Sequence, residues 1–195
     1  MKLRHCLLPL LTLSLVMSGC AVAADDEGDD GDVGEETVGT TSEAASVACR
    51  ISRSTIVGSV SGERREVVER AFTWWDAKVS YSQSRYYKGY RTDCSGFISM
   101  AWETGTSYTT ASFSTGGGES FPLSSYSSLE PGDALVRRKN GSGHIVMFLG
   151  WNDSAKTSAC VIEQASTALD MEFRTRSASS LKSGGYKAIR ADKLR

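Results

Sequence analysis

Between residues 61 and 190 apolar positions recur first at helical spacing and then at the spacing of strands. From Ser61 to Lys78, Val67, Val68, Ala71, Trp74 and Trp75 fall on one face, with Glu63, Arg64, Arg65, Glu66 and Arg70 mostly elsewhere. That pattern predicts an amphipathic helix whose two tryptophans belong to a core. A loop of Ser, Tyr and Gly runs from Ser80 to Thr92. A second short helix follows, roughly Ser95 to Glu103, with Phe97, Ile98, Ala101 and Trp102 as its buried face and Asp93 placed as its cap. Residues 104–128 are rich in Ser, Thr and Gly and read as a long surface loop with room for one short helix. The Gly116-Gly117-Gly118 run within it lacks the lysine and the following helix of a phosphate loop.

Strand signals then take over. Leu129-Glu130-Pro131-Gly132-Asp133 is a turn into a strand from Ala134 to Arg138, and Asn140-Gly141 is a strong hairpin signal. His144 to Trp151 is apolar almost throughout, which predicts a central strand, and Asn152-Asp153-Ser154 turns it. Ala159 to Gln164, Leu169 to Thr175 and Tyr186 to Arg190 read as further strands. Helices first and an antiparallel sheet second define an α+β domain.

The front of the chain has a different character. Lys2 and Arg4 precede an apolar stretch, Cys6 to Val16, too short to span a bilayer stably, and small residues follow; this reads as a secretory signal over residues 1–20. Met17-Ser18-Gly19-Cys20 resembles a bacterial lipobox, which would make Cys20 a lipidated N-terminus in the cell envelope. Ala21-Val22-Ala23 offers an ordinary cleavage site and a freely secreted product instead. Residues 21–46 carry nine acids and no base, a composition expected of a disordered tether. Of 22 basic and 23 acidic residues overall, two bases and those nine acids precede the domain at 47–195. That leaves 20 bases against 14 acids, or about +6. A basic exported domain suits an anionic wall polymer better than nucleic acid, for which no arginine-aromatic recognition pattern is present. About 150 residues make one domain with a real core, expected to be monomeric.

Cysteine and histidine then narrow the chemistry. Cys6 lies in the signal and Cys20 in the lipobox. Cys49 and Cys160 form an even pair that could be bridged in an oxidising compartment or remain two buried thiols. Cys94 opens the apolar second helix, and His144 opens the central strand fifty residues later. The only other histidine, His5, lies in the signal. A thiol works as thiolate, and a helix N-terminus and an adjacent imidazolium both favour that form. Backbone N–H groups around Cys94 and Ser95 could steady an oxyanion, and Gly96 would let a substrate backbone come close. A histidine base needs a polar partner. Glu163 and Gln164 lie on the strand expected to pair with that of His144, and alternation lets only one of them face it. No Cys/His pair at short spacing suggests zinc, so no metal or cofactor is expected.

Tyr81-Ser82-Gln83, Gly89 to Phe97, Leu129 to Leu135 and Gly143 to Gly150 resemble, in order, the motifs of the NlpC family of papain-like cell-wall peptidases, over roughly residues 63–190. The resemblance implies a papain-like fold with Cys94 as nucleophile, His144 as base and Tyr81 lining the oxyanion pocket, beside Asp93, Ser95 and Gly96. Many NlpC relatives place a second histidine before an Ala-Ser pair; here Gln164 precedes Ala165-Ser166. The related CHAP amidases use a glutamate in a Glu-Gln pair, which matches Glu163-Gln164 and favours Glu163. The tryptophan-glycine-glycine run that often follows the tyrosine is absent, and a Tyr86-Tyr87-Lys88 loop takes its place.

The implied reaction is hydrolysis, through a thioester, of an amide in a peptidoglycan stem peptide. Two other functions fit the same residues: an amidase or acyltransferase on another envelope amide, and a wall-binding lipoprotein without catalysis.

Overall fold

A computed structural model describes residues 47–195. The expected signal, with Cys20 and its lipid, and the acidic tether lie outside the described residues. Five α-helices and eight strands follow in order: α1 (Arg53–Gly58), α2 (Gly62–Asp76), β1 (Tyr86–Tyr87), β2 (Tyr90–Arg91), α3 (Cys94–Trp102), α4 (Thr110–Ser114), β3 (Ser120–Pro122), β4 (Ala134–Lys139), β5 (Ser142–Trp151), β6 (Ser158–Ser166), β7 (Asp170–Ser177), α5 (Ala178–Ser183) and β8 (Lys187–Ala191). The architecture is α+β. Among the described residues no helix is long and apolar enough to cross a membrane.

β3 to β8 form one antiparallel sheet in the order β3-β8-β4-β5-β6-β7. β5 lies inside it, as its apolar run predicts. Alternation sorts each strand between two cores. Ala134, Val136, Ile145, Met147, Leu149, Cys160 and Ile162 pack with α2 and α3. Leu135, Val146, Phe148, Ala159 and Val161 face the other way, against Leu181 of α5 and Ala188. The two residues of the β4–β5 turn, Asn140 and Gly141, both take positive φ (53° and 78°), as a tight hairpin requires.

Three local readings change. Trp75 is 37% exposed, and Phe72 takes the core position instead, because the helix turns its stripe toward Val67, Val68, Ala71 and Trp74. The expected Tyr86-Tyr87-Lys88 loop is a two-residue hairpin, with Tyr86 paired to Arg91 and Tyr87 to Tyr90 across Lys88-Gly89. The long loop at 104–128 contains α4 and the edge strand β3, which pairs with β8.

The turn at 129–133 is a junction. Asp133, wholly buried, accepts from Arg64 of α2 (3.1 Å) and from both Nε and Nη2 of Arg190 on β8 (2.9 Å each). The Gly132 carbonyl accepts Trp102 Nε1–H of α3 at 2.8 Å. One short turn thereby fastens α2, α3, β4 and β8.

At the opposite edge, Thr175 N–H donates to the Val47 carbonyl (2.7 Å), and Cys49 is bridged to Cys160. The bridge closes a sequence separation of 111 residues. A loop of that length restricts the unfolded chain strongly, by about 5 kcal/mol in the chain-entropy account. Reduction, or a Cys49→Ser/Cys160→Ser double variant, is expected to lower the thermal midpoint by more than 10 °C at roughly 3 °C per kcal/mol. Calorimetry with and without reductant measures it.

Candidate active site

α3 begins where a cap ends a β-bridge. Asp93 is its N-cap, in extended conformation, and its Oδ1 accepts from Gly96 N–H at 2.6 Å. The Ser95 hydroxyl donates to the same oxygen (3.2 Å), while Arg91 Nε binds Oδ2 and Arg91 Nη2 reaches Ser95 Oγ at 3.0 Å. Asp93 and Ser95 are both nearly fully buried. Their side chains are therefore committed to the helix start, not presented to a substrate.

Gly96 has a different purpose from the one expected. A Cβ there would lie 1.8 Å from the Arg91 carbonyl oxygen. The close approach that glycine permits is made by the chain's own β2, not by a substrate backbone. The N–H groups of Cys94 and Ser95, ahead of the capped ones in the first turn, have no intrahelical acceptor by geometry and leave a positive helix end at the thiol. Cys94 itself is buried and outside the disulfide.

Tyr81 is delivered to the same region by backbone bonds. Ser82 N–H donates to the Thr92 carbonyl (3.0 Å), two residues before Cys94, and Tyr81 N–H donates to Asp170 Oδ1 (2.8 Å). The Tyr81 ring is 6% exposed, and its hydroxyl accepts from Gln83 Nε2 at 3.4 Å.

The histidine and its partner lie on the sheet. His144, paired with Arg137 of β4, shares a face with Val146 and Phe148. Glu163 on β6 shares that face with Val161. His144 Nε2 and Glu163 Oε2 are 2.6 Å apart. Gln164 points to the opposite face, where its Nε2 donates to the Val79 carbonyl (2.9 Å), and it does not meet the histidine. The alternation that left two candidates thus resolves in favour of the carboxylate, and Gln164 leaves the site.

Glu163 is fully buried and held by more than the histidine. Arg174 Nε and Arg176 Nε donate to Oε1 at 2.9 and 2.8 Å, and Arg176 Nη2 donates to Oε2 at 2.9 Å. Burial pushes the carboxyl up, but the Arg176 charge, the His144 hydrogen bond and the Arg174 charge outweigh it and hold Glu163 well below the usual carboxylate range. An ionised carboxylate only accepts, so Nε2 of His144 carries the proton and Nδ1 is the basic nitrogen of the neutral ring.

The sequence reading missed Arg174, Arg176 and Tyr186. The arginines had a signal: positions i and i+2 of a strand share a face, and β7 is the neighbour of β6. Tyr186 precedes β8, and its phenol, pushed up to about 12 chiefly by burial, feels the charges of Arg176, Glu163, Arg137 and Cys94. α3 packs on β5 and β6, the strands that carry His144 and Glu163.

Among the described residues no cluster of three or more His, Cys, Asp or Glu could hold a metal ion. Comparison with protein-family models, with curated proteins and with solved structures finds no match.

Two outcomes follow from this geometry. Gly96→Ala forces a side chain into backbone and is expected to cost at least about 3 kcal/mol, read as loss of the cooperative urea transition at ordinary temperature. Glu163→Gln strands one buried and one half-buried guanidinium charge and is expected to cost about 3 kcal/mol. Because the folded carboxyl is depressed, its contribution is present above the unfolded value of about 4.3 and is lost as pH falls below it. Wild type should therefore lose stability through that acid range more steeply than Glu163→Gln does, and parallel acid titrations of the two proteins by circular dichroism test the sign.

Proposed function

We propose that the protein is a papain-like cysteine hydrolase of the NlpC type that cleaves an amide in peptidoglycan stem peptides. The observation that carries the reading is the 2.6 Å contact between His144 Nε2 and the ionised Glu163, on strands packed against the helix that Cys94 opens. A capped helix start for the thiol, a ring nitrogen left free by a carboxylate partner, and a tyrosine brought beside the helix start together suit acyl transfer. The resemblance of Asp93-Cys94-Ser95-Gly96, the Pro131-Gly132-Asp133 turn and the Gly143-His144 strand to the NlpC motifs adds the substrate class. The basic charge of the domain suits an anionic wall.

In this mechanism Nδ1 of His144 takes the Cys94 proton, leaving a thiolate beside the helix N-terminus. The sulfur attacks the amide carbonyl. The resulting oxyanion is met by first-turn N–H groups, with Tyr81 at its side. His144 returns its proton to the leaving amine, and a thioester remains. Water then gives a proton to Nδ1 and attacks the thioester, releasing the acid and the thiol. Glu163 keeps the ring in one tautomer throughout. The expected setting is the bacterial envelope, by lipid at Cys20 or as a secreted form.

Wild type and Cys94→Ala are to be incubated with purified peptidoglycan, and soluble fragments identified by mass spectrometry. New stem-peptide fragments from wild type alone are the expected result and would name the bond. No fragments from either protein would move the reading to another envelope amide or to binding without catalysis.

A further inference from the structure

Glu163 is bound by more positive charge than it carries, and by groups that the strand pairing does not need. β7 is joined to β6 from Ser158 opposite Ser177 to Ser166 opposite Asp170, so the backbone ladder already fixes the strand. Asp133 offers the contrast within the same molecule. Its arginines, Arg64 and Arg190, come from α2 and β8 and fasten separate elements. Arg174 and Arg176 both come from β7, the strand already paired with that of Glu163. They converge on the carboxylate beside the histidine, and the Arg176 guanidinium shares Oε2 with His144 Nε2.

Resting on the hydrolase reading above, we infer that Arg176, backed by Arg174, is a positioning residue: through Glu163 it fixes the His144 ring, and it sets the pH range in which Cys94 is a thiolate. Two oxygens with two donors each leave the carboxylate no rotation, so Nε2 meets an acceptor of fixed direction. The fork of Arg176, Nε to one oxygen and Nη2 to the other, is geometry that a lysine cannot reproduce. The charge acts separately. The charged and titratable groups around the thiol and the pair are His144 from β5, Glu163 from β6, Arg174 and Arg176 from β7, Tyr186 ahead of β8, Arg137 from β4 (its guanidinium 5.5 Å over the Tyr186 ring), and, beside Cys94, Arg91 of β2, whose charge is paired with that of Asp93. With the histidine neutral, the balance of permanent charge is positive. A positive surround favours the thiolate form of Cys94.

The test is alkylation of Cys94 by iodoacetamide from pH 4 to 10, in the full chain, followed by mass spectrometry of the Cys94 peptide in wild type, Arg176→Gln and Arg176→Lys. Hydrolysis of peptidoglycan is measured on the same samples. Arg176→Gln is expected to move the onset of alkylation up by about one pH unit, which slows the reaction roughly tenfold on the rising limb. Arg176→Lys is expected to keep the wild-type onset and still lose hydrolytic rate, since charge is retained and the fork is lost. An Arg176→Gln profile that superimposes on wild type, with native circular dichroism, would overturn the inference. If Arg176→Gln does not fold, Arg176→Lys decides: undiminished hydrolysis overturns it, and reduced hydrolysis at an unchanged onset supports it. A wild-type onset at the ordinary thiol value of about 8.5 would instead sink the hydrolase reading on which the inference stands, and so distinguishes the two failures.

Discussion

Every residue of α3 from Cys94 to Trp102 is buried, and the rest of the domain is arranged around that fact. A nine-residue helix with no exposed face cannot be seated by amphipathicity alone; it has to be held at its ends. At the start, Asp93 caps it and Gly96 lies against the Arg91 carbonyl, with no room for a methyl group. At the end, Trp102 donates its indole N–H to the Gly132 carbonyl, and the next residue, Glu103, takes a left-handed conformation (φ 54°). In between, Ser99 donates to the Ser95 carbonyl and accepts Tyr108 N–H, which satisfies polar groups no water can reach. The thiol at the head of such a helix inherits its position from packing.

Two buried carboxylates, Asp133 and Glu163, organise the sheet from different places. Both are wholly buried and both bind two arginines, one of them in a fork. Burying such clusters adds little net stability over an apolar alternative, yet removing one member is costly, because the remaining charges stay behind. Their value is in specifying one arrangement. Asp133 specifies which helix and which neighbouring strand meet the start of β4. Glu163 specifies a direction for one imidazole. The first is structural in purpose. The second coincides with the only histidine among the described residues.

Period explains which parts of this were legible in the sequence. The α2 and α3 helices, the four long strands and the β4–β5 hairpin follow from period and turn chemistry, since each buries a continuous apolar face. Boundaries shifted by a residue or two. The helices α1 and α5, six residues each, carry too few apolar positions to show a period, and β3 is hidden in a Ser- and Gly-rich stretch because its pairing with β8 is non-local. Trp75 was misplaced because a helical face is wide enough to include it, and only the packing of Val67, Val68, Ala71, Phe72 and Trp74 into the core decides how the helix is turned. The site was legible as residue types: a cysteine at a helix head, a histidine at a strand head, and a carboxylate–amide pair on the neighbouring strand. Gly96 was assigned to the wrong contact, because a sequence shows that a close approach is permitted but not which backbone makes it.

The chain's histidine content makes the third position more consequential than it would otherwise be. On the proposed reading, a neutral acceptor there would orient the imidazole and leave its proton affinity nearly alone. A bare carboxylate would orient it and also favour the imidazolium through its negative charge, most of all in a site from which water is excluded. Glu163 has the direction and acceptor strength of a carboxylate, since both oxygens are held and its proton is lost. Its charge, however, is answered twice by Arg174 and Arg176 before the histidine is counted. Electrostatically it approaches the neutral acceptor; geometrically it remains the stronger one. The arginines on β7 thus belong to the same physical problem as the Glu163–His144 pair, and an account of that pair that stops at two residues omits what keeps its charge in balance.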